Sequence, residues 1–264
     1  MLIYIPSTGR ADQLNTLRNL PPALLPNTVV VVYQKEFKEY SRIVAGCGAC
    51  IITRPLEVKG IGATRQWIIE QAHFKNEKKL VMMDDDLGFC TRRQDDLGKF
   101  LPSTNKEIIN LVDDISISLN TFSHVGVLGR EGGNRIHEEY ITCSRMTRIL
   151  AYNTETFIKE KIDFTRNPPM EDFDVTLQLL RKGYPNKIIC WAIQGQGNSQ
   201  AAGGISGWRT PARHAMAAER LAKFHKPFVK VVEKTTKTAW GGGTRKDVIV
   251  QWKKAYLSSG KELP

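Results

Sequence analysis

Leu80-Val81-Met82-Met83-Asp84-Asp85-Asp86 is the stretch whose reading decides this chain. Four apolar residues bounded by charge have the length and character of a buried strand. In open α/β sheets ligands collect outside the carboxyl ends of the strands, and the three acids fall there. Adjacent carboxylates repel one another, so their ionised forms need a cation or strong hydrogen-bond donors close by. Hard divalent cations such as Mg2+ or Mn2+ suit carboxylate oxygens and keep positions open for phosphate. The plain alternative is a solvated acidic turn, and the surrounding sequence weighs against it.

Upstream, residues 2–6 read as a first strand ending in the loop Ser7-Thr8-Gly9-Arg10, and residues 12–20 have helical character until Pro21-Pro22. Residues 28–33 are almost all β-branched, the mark of a strand buried on both faces. A helix over 37–45, a strand over 49–53 and an amphipathic helix over 63–75, introduced by Gly60-Ile61-Gly62, lead to the acidic stretch. Strands alternating with helices at this spacing predict βαβ units, a Rossmann-like and mostly parallel sheet flanked by helices. Downstream the reading gives a Ser/Thr-capped helix over 103–121 and strands at 125–128, 149–152 and 188–192. It also gives a helix over 172–182 stopped at Gly183, and a basic helix over 213–224.

Composition narrows the classes. The 264 residues are 41% hydrophobic and 25% charged, as in an ordinary globular protein with a substantial core. No apolar run approaches bilayer-spanning length. The N-terminus lacks a basic lead and a small-residue cleavage site, so it is expected to be a strand and not a signal peptide. Five scattered cysteines (Cys47, Cys50, Cys90, Cys143 and Cys190) suggest reduced thiols and a cytoplasmic location. Cys47-Gly48-Ala49-Cys50 has half a zinc site's spacing without a second pair. The net charge of +11 is lopsided: from Arg209 onward there are 13 Lys and Arg against 4 Asp and Glu. That excess suggests a surface for a polyanion, nucleic acid first. The chain therefore divides into a region of nearly balanced charge that carries the acidic stretch, 1–208, and a basic segment, 209–264, expected to pack on it.

Four elements in order carry a resemblance: Pro6-Ser7-Thr8-Gly9-Arg10 after the first strand, Gly62-Ala63-Thr64-Arg65-Gln66, the triple Asp, and Met170-Glu171-Asp172-Phe173-Asp174 opening a helix. Together they resemble the GT-A glycosyltransferases, which bind nucleotide sugars through an Asp-x-Asp motif and a divalent metal. Within that class the chain looks most like the phage-type glycosyltransferases associated with TET/JBP-like base hydroxylases. The narrower features are Leu179-Leu180 before Gly183, and Gly203-Gly204 followed by Trp208-Arg209.

The resemblance implies a GT-A fold, transfer from a UDP-sugar to a hydroxymethylated pyrimidine in DNA, and a requirement for Mn2+ or Mg2+. It makes Asp86 the direct metal ligand, with Asp84 contributing to the metal and to the ribose or donor sugar. Pro6, Ser7, Arg10, Arg65 and Asp85 complete the donor side, where guanidinium groups match phosphate geometry. Asp172 is the expected general base and Glu171 its partner; helix capping alone is the plain reading of that pair. Many GT-A enzymes supply a late His to the metal, but Gln194-Gly195-Gln196-Gly197-Asn198-Ser199 holds none, leaving Asn198 or water. Arg209, Arg213, Arg220 and Lys223 are the expected DNA contacts, with nearby aromatics able to stack on an extruded base.

Three other readings stay in view. One is a GT-A enzyme acting on a glycan or small metabolite. Another is a nucleotidyltransferase, whose Gly-rich signature would need a longer loop than Ser7-Thr8-Gly9-Arg10. The third is a non-catalytic nucleic-acid binder, which gives no reason for the two acidic motifs.

Overall fold

The computed structural model of the protein describes residues 1–196, 210–236 and 243–264. The chain opens with β1 (Leu2–Pro6), α1 (Asn15–Asn19), β2 (Thr28–Tyr33), α2 (Phe37–Val44), β3 (Cys50–Arg54), α3 (Gly60–Phe74) and β4 (Lys79–Met83). It continues with β5 (Leu87–Arg92), β6 (Phe100–Pro102), α4 (Asn105–Ser118), β7 (His124–Gly129), the single turn α5 (Arg130–Gly133) and β8 (Tyr140–Thr142). Then come β9 (Ile149–Asn153), α6 (Thr154–Lys159), α7 (Glu171–Arg181) and β10 (Asn186–Gln196). The last described elements are α8 (Pro211–Phe224), β11 (Val229–Thr236), β12 (Gly243–Val250) and α9 (Trp252–Leu257).

Among the described residues ten strands form one sheet, ordered β3-β2-β1-β4-β9-β7-β10-β5-β6, with β8 also paired to β10. The half β3-β2-β1-β4 is parallel throughout, as the βαβ spacing predicts. Its apolar strands are covered on both faces, and the pleat sorts their side chains. Ile3, Ile5, Val30, Val32, Val81 and Met83 point to one side, where α1, α2 and α4 lie. Tyr4, Val31, Leu80 and Met82 point to the other, against α3, α6 and α7. Each such side chain, fully buried, contributes about 1.5–3 kcal/mol relative to exposure, which is why runs of this kind are read so readily from sequence.

The other half departs from a uniform parallel pattern. β9 runs antiparallel between β4 and β7, with Met83 opposite Ile149. β5, a strand the sequence reading does not assign, leaves the acidic turn at once and pairs antiparallel with β10. Its sequence Leu-Gly-Phe-Cys-Thr-Arg alternates too weakly to announce a strand, and long-range pairing supplies what local propensity lacks. The register of β1 on β4, carried two residues past Tyr4 and Met82, brings Pro6 level with Asp84.

Two helix ends follow the sequence closely. Thr104 and Glu107 form a reciprocal capping box at the start of α4. Gly183, at φ +82°, takes the left-handed conformation that ends α7, and the Tyr184 N–H donates back to Leu179 O at 3.0 Å.

Beyond the sheet, α8 and the hairpin β11–β12 pack outside α7. Met170, Leu177, Ala217, Ala218, Leu221, Val229 and Val248 share one buried cluster. The hairpin is a second departure, since residues 229–250 carry no strand in the sequence reading. Its polar face, with Lys230, Lys234 and Arg245 alternating against inward valines, hides the period in an overall basic composition.

Candidate active site

The site forms where β1, β4 and the first turns of α3 and α7 converge. Ser7 follows the last residue of β1 and hydrogen-bonds Asp85 Oδ2 and, at 2.8 Å, the Tyr40 hydroxyl. Arg10 directs one nitrogen, Nη1, at two acids: 3.2 Å to Asp85 Oδ1 and 3.0 Å to Asp86 Oδ2. The Thr16 hydroxyl donates to Asp84 O, which holds the acidic turn against α1. The donors that three adjacent carboxylates demand are thus present.

Arg65 is the centre of the arrangement. Its Nη2 lies 2.7 Å from Asp84 Oδ1 and its Nη1 2.7 Å from Glu171 Oε1, in a setting where Arg65 is only 5% exposed. The backbone allows this because of Gly62: a Cβ there would sit 2.6 Å from Phe164 O and 3.7 Å from the Glu171 side chain. Only glycine lets the first turn of α3 pack this close to the backbone at Phe164, in the loop that leads to α7. Burial disfavours the charged guanidinium, but Asp84, Glu171 and Asp172 outweigh it and its pKa is raised overall. Burial likewise lifts Asp85, against Ser7 and Arg10, to about 6. Asp84 is also pushed upward by burial, with Arg65 opposing; its side chain keeps 26% exposure, which tempers the effect.

Asp172 stands apart from this core. It accepts from its neighbour's Phe173 N–H at 2.9 Å and from Arg145 Nη2 at 3.4 Å, while the Arg145 guanidinium lies 4.1 Å above the Phe173 ring. Glu171 is buried and Asp172 retains 14% side-chain exposure, so the pair is divided between an inward and an outward carboxylate.

Arg145 and Arg148 are site residues the sequence reading missed. Arg148 has φ +63°, a conformation that costs a non-glycine residue about 1 kcal/mol or more. It offers its carbonyl to the Asp84 N–H at 3.0 Å and its guanidinium to Glu131 at 2.8 Å. The available signal was the basic run Arg145-Met146-Thr147-Arg148 before a strand. It means something only once β9 is known to be antiparallel, because that pairing sets its N-terminal end beside the carboxyl end of β4.

The remaining expected residues are scattered. Pro6 ends β1, buried beside the acids. Asn198 and Arg209 lie outside the described residues. Arg213 and Lys223 are exposed on α8. Arg220 is tied down instead, donating to Asn167 Oδ1 at 3.1 Å and to Pro168 O at 2.7 Å in the loop before α7. His214 and His225 are buried, His225 against Asp174 at 2.6 Å, behind α7 and away from the acids. All five cysteines are free thiols.

Among the described residues no three His, Cys, Asp or Glu side chains are grouped as a ready cation cage. The donor set nevertheless fits a hard divalent ion. Asp84 and Asp86 present carboxylate oxygens on one turn, Asp84 partly open to solvent, with Arg10 and Arg65 as the cations beside them. Among the described residues no helix is long and apolar enough to cross a membrane.

Comparison with known proteins agrees with this architecture. The chain is 26% identical over 230 residues to the beta-glucosyl-HMC-alpha-glucosyl-transferase of Enterobacteria phage T6, an alignment spanning 82% of this chain and 78% of that protein. The enzyme of the same name from Enterobacteria phage T2 matches with the same identity and coverage. In structure, the chain superposes with a TM-score of 0.50 on glucosyl-3-phosphoglycerate synthase from Mycobacterium tuberculosis, crystallised with Mn2+, UDP-glucose and phosphoglyceric acid. That likeness covers 92% of this chain and 85% of the other at 11% identity, and shows a shared GT-A fold. The sequence profile of one family runs from β1 through the acidic turn and the acid pair to beyond β10, over residues 1–204, and by that match the chain belongs to the TET-associated glycosyltransferases.

Proposed function

We propose that this glycosyltransferase moves a sugar from a nucleoside diphosphate sugar, a UDP-sugar, to the hydroxyl of a hydroxymethylated pyrimidine in DNA. The observation that carries the reading is the position of Arg65 between Asp84 and Glu171. It locks a donor-side acidic turn to an acceptor-side acid pair across one buried guanidinium.

On the donor side Arg10 and the acidic turn face the diphosphate. Asp86 and Asp84 would hold Mn2+ or Mg2+, which supplies Lewis-acid neutralisation of the departing diphosphate. On the acceptor side Asp172 takes the proton from the acceptor hydroxyl as its oxygen bonds to the anomeric carbon. The bond from that carbon to the diphosphate oxygen breaks, and the nucleoside diphosphate leaves with the electron pair. Glu171, fixed by Arg65, keeps the start of α7 in register with β4.

The basic segment supports DNA as the acceptor, because the surplus cations of α8 and the hairpin lie on the α7 side of the sheet, the side of Asp172. A second reading of the acceptor has its own support. The two phage relatives are named for transfer onto beta-glucosyl-HMC, so a base that already carries a sugar is a candidate acceptor. The test is nucleoside mass spectrometry after incubation with a panel of nucleotide sugars. The acceptors are hydroxymethylcytosine DNA, the same DNA already β-glucosylated, and simple glycans. A one-sugar mass gain on either DNA is expected, and the responding substrate identifies the acceptor. Transfer to glycans as fast as to DNA would overturn the reading.

A further inference from the structure

A cleft of about 360 Å3 lies between the end of β8 and the start of α9, lined by Ser144, Gln251, Trp252, Lys253 and Lys254 among others. Contacts tie it to the acceptor side of the site. Ser144 precedes Arg145, whose guanidinium is 3.4 Å from Asp172 and 4.1 Å above Phe173. Trp252 packs on that same Phe173, ring centroids 5.7 Å apart. The cleft is therefore lined by the sequence neighbour of Arg145 on one side and by the start of α9, whose Trp252 touches Phe173, on the other.

Its electrostatics are one-sided. Lys253 and Lys254 are exposed, and among the described residues neither takes part in an ion pair. Several other cations of the basic segment are already engaged: Lys246 with Glu219 at 2.5 Å, Lys234 and Arg245 with Asp247, and Arg220 with the loop before α7. Glu138 is the carboxylate that feels the charge of Lys253, and it also accepts from the His137 backbone N–H at 3.0 Å. Two exposed lysines with no ion pair among the described residues, lining a cleft tied to Asp172 through Arg145, Phe173 and Trp252, match an anion belonging to the acceptor.

We infer that this cleft holds the phosphate backbone of the polynucleotide acceptor beside the modified nucleotide, with Lys253 and Lys254 as its phosphate contacts. The inference rests on the DNA reading above and makes it specific: the strand enters along α9, and the expected contacts on α8 are secondary to it. Ser144 and Gln251 add neutral hydrogen-bonding groups of the kind that position a sugar-phosphate chain.

The test is fluorescence anisotropy with a labelled hydroxymethylcytosine-containing duplex of about 20 base pairs, titrated at several salt concentrations. The variants are the full-length chain with Lys253→Glu and Lys254→Glu together, and with both changed to Gln. Each phosphate contact contributes about 0.9 to the slope of log affinity against log salt. The Gln pair is expected to flatten that slope by about 1.8 and weaken binding about 10- to 100-fold near 0.1 M salt. The Glu pair should weaken it further. Lys106→Glu, on α4 across the sheet, is expected to leave the slope unchanged. Donor hydrolysis without DNA, and the melting temperature, should be unaltered in all variants. An unchanged slope in the Gln pair, with wild-type protein still modifying the duplex, overturns the cleft alone. A wild-type protein that neither binds nor modifies the duplex overturns the DNA reading and the cleft with it.

Discussion

Asp84 and Glu171, far apart in the chain, are held by the two terminal nitrogens of a single guanidinium, each at 2.7 Å. The relationship is geometric as well as electrostatic. A planar fork can serve two carboxylates in fixed directions, which a flexible ammonium cannot do. It fixes how the end of β4 and the start of α7 face each other, and hence the gap between the acidic turn and the acid pair.

Replacing Arg65 therefore separates charge from geometry. Arg65→Ala removes the shared cation from two acids in a mostly buried setting and is expected to cost about 3–5 kcal/mol of stability. Arg65→Lys keeps the charge but loses the fork. It should melt within a few degrees of wild type while kcat falls about tenfold or more, since misplaced catalytic groups lose rate steeply. Denaturation curves beside steady-state kinetics decide the matter; a lysine variant with full kcat would reduce Arg65 to a structural salt bridge.

Asp86→Asn keeps an oxygen that can still accept from Arg10, now 3.0 Å away, so the turn should stay folded. An amide is a poor ligand for a hard cation. Most Mn2+-dependent transfer should disappear in this variant, and chelator should abolish transfer by the wild type with recovery on adding Mn2+. Undiminished turnover in either experiment would show that the acidic turn acts without a metal.

Asp172→Asn is expected to lower kcat by about 10²–10⁴ while nucleotide-sugar affinity, measured calorimetrically, stays near wild type. Its Oδ1 can still accept from the Phe173 N–H, so α7 should start as before. Collapse of donor affinity with normal turnover of bound donor would move Asp172 to the donor site.

The acid limb of stability has a separate source. His124 on β7 is fully buried, and burial pushes its pKa from 6.5 down to about 4 despite its bond to Tyr184 O at 2.9 Å. A folded-state pKa below the unfolded value means the unfolded chain binds the proton more tightly. Stability is then intact above pH 6.5 and is lost progressively as the pH falls toward 4, by up to about 3 kcal/mol. Melting temperatures recorded from pH 7.5 to about 4.5 should drop more in wild type than in His124→Gln. Parallel curves for the two proteins would assign acid sensitivity elsewhere.

Several parts of the molecule were legible locally. The runs at β1, β2 and β4, the capped helix α4 and the glycine stop of α7 each follow from residues within one or two turns of each other. So did the placing of Asp84-Asp85-Asp86 at a strand exit and of Glu171-Asp172 at a helix start. The roles within the site were less legible. Arg65 and Arg10 reach the acids they pair with only because β1, β4, α3 and α7 meet. Arg220, basic and on a basic helix, is held by Asn167 and Pro168 in a contact that no local pattern announces.

By itself the sequence determined the parallel βαβ half, the places of the two acidic motifs at a strand exit and a helix start, and the basic bias of the last segment. These depend on periodicity, side-chain chemistry and composition, all carried by neighbouring residues. Tertiary structure alone decided the direction of β9, and so the arrival of Arg145 and Arg148 beside the acids. It also decided the hairpin β11–β12 and the contact of Trp252 with Phe173 that ties the cleft to the start of α7. Strand direction and helix docking are set by which distant apolar faces bury each other best, and that choice is a property of the whole chain and of none of its segments.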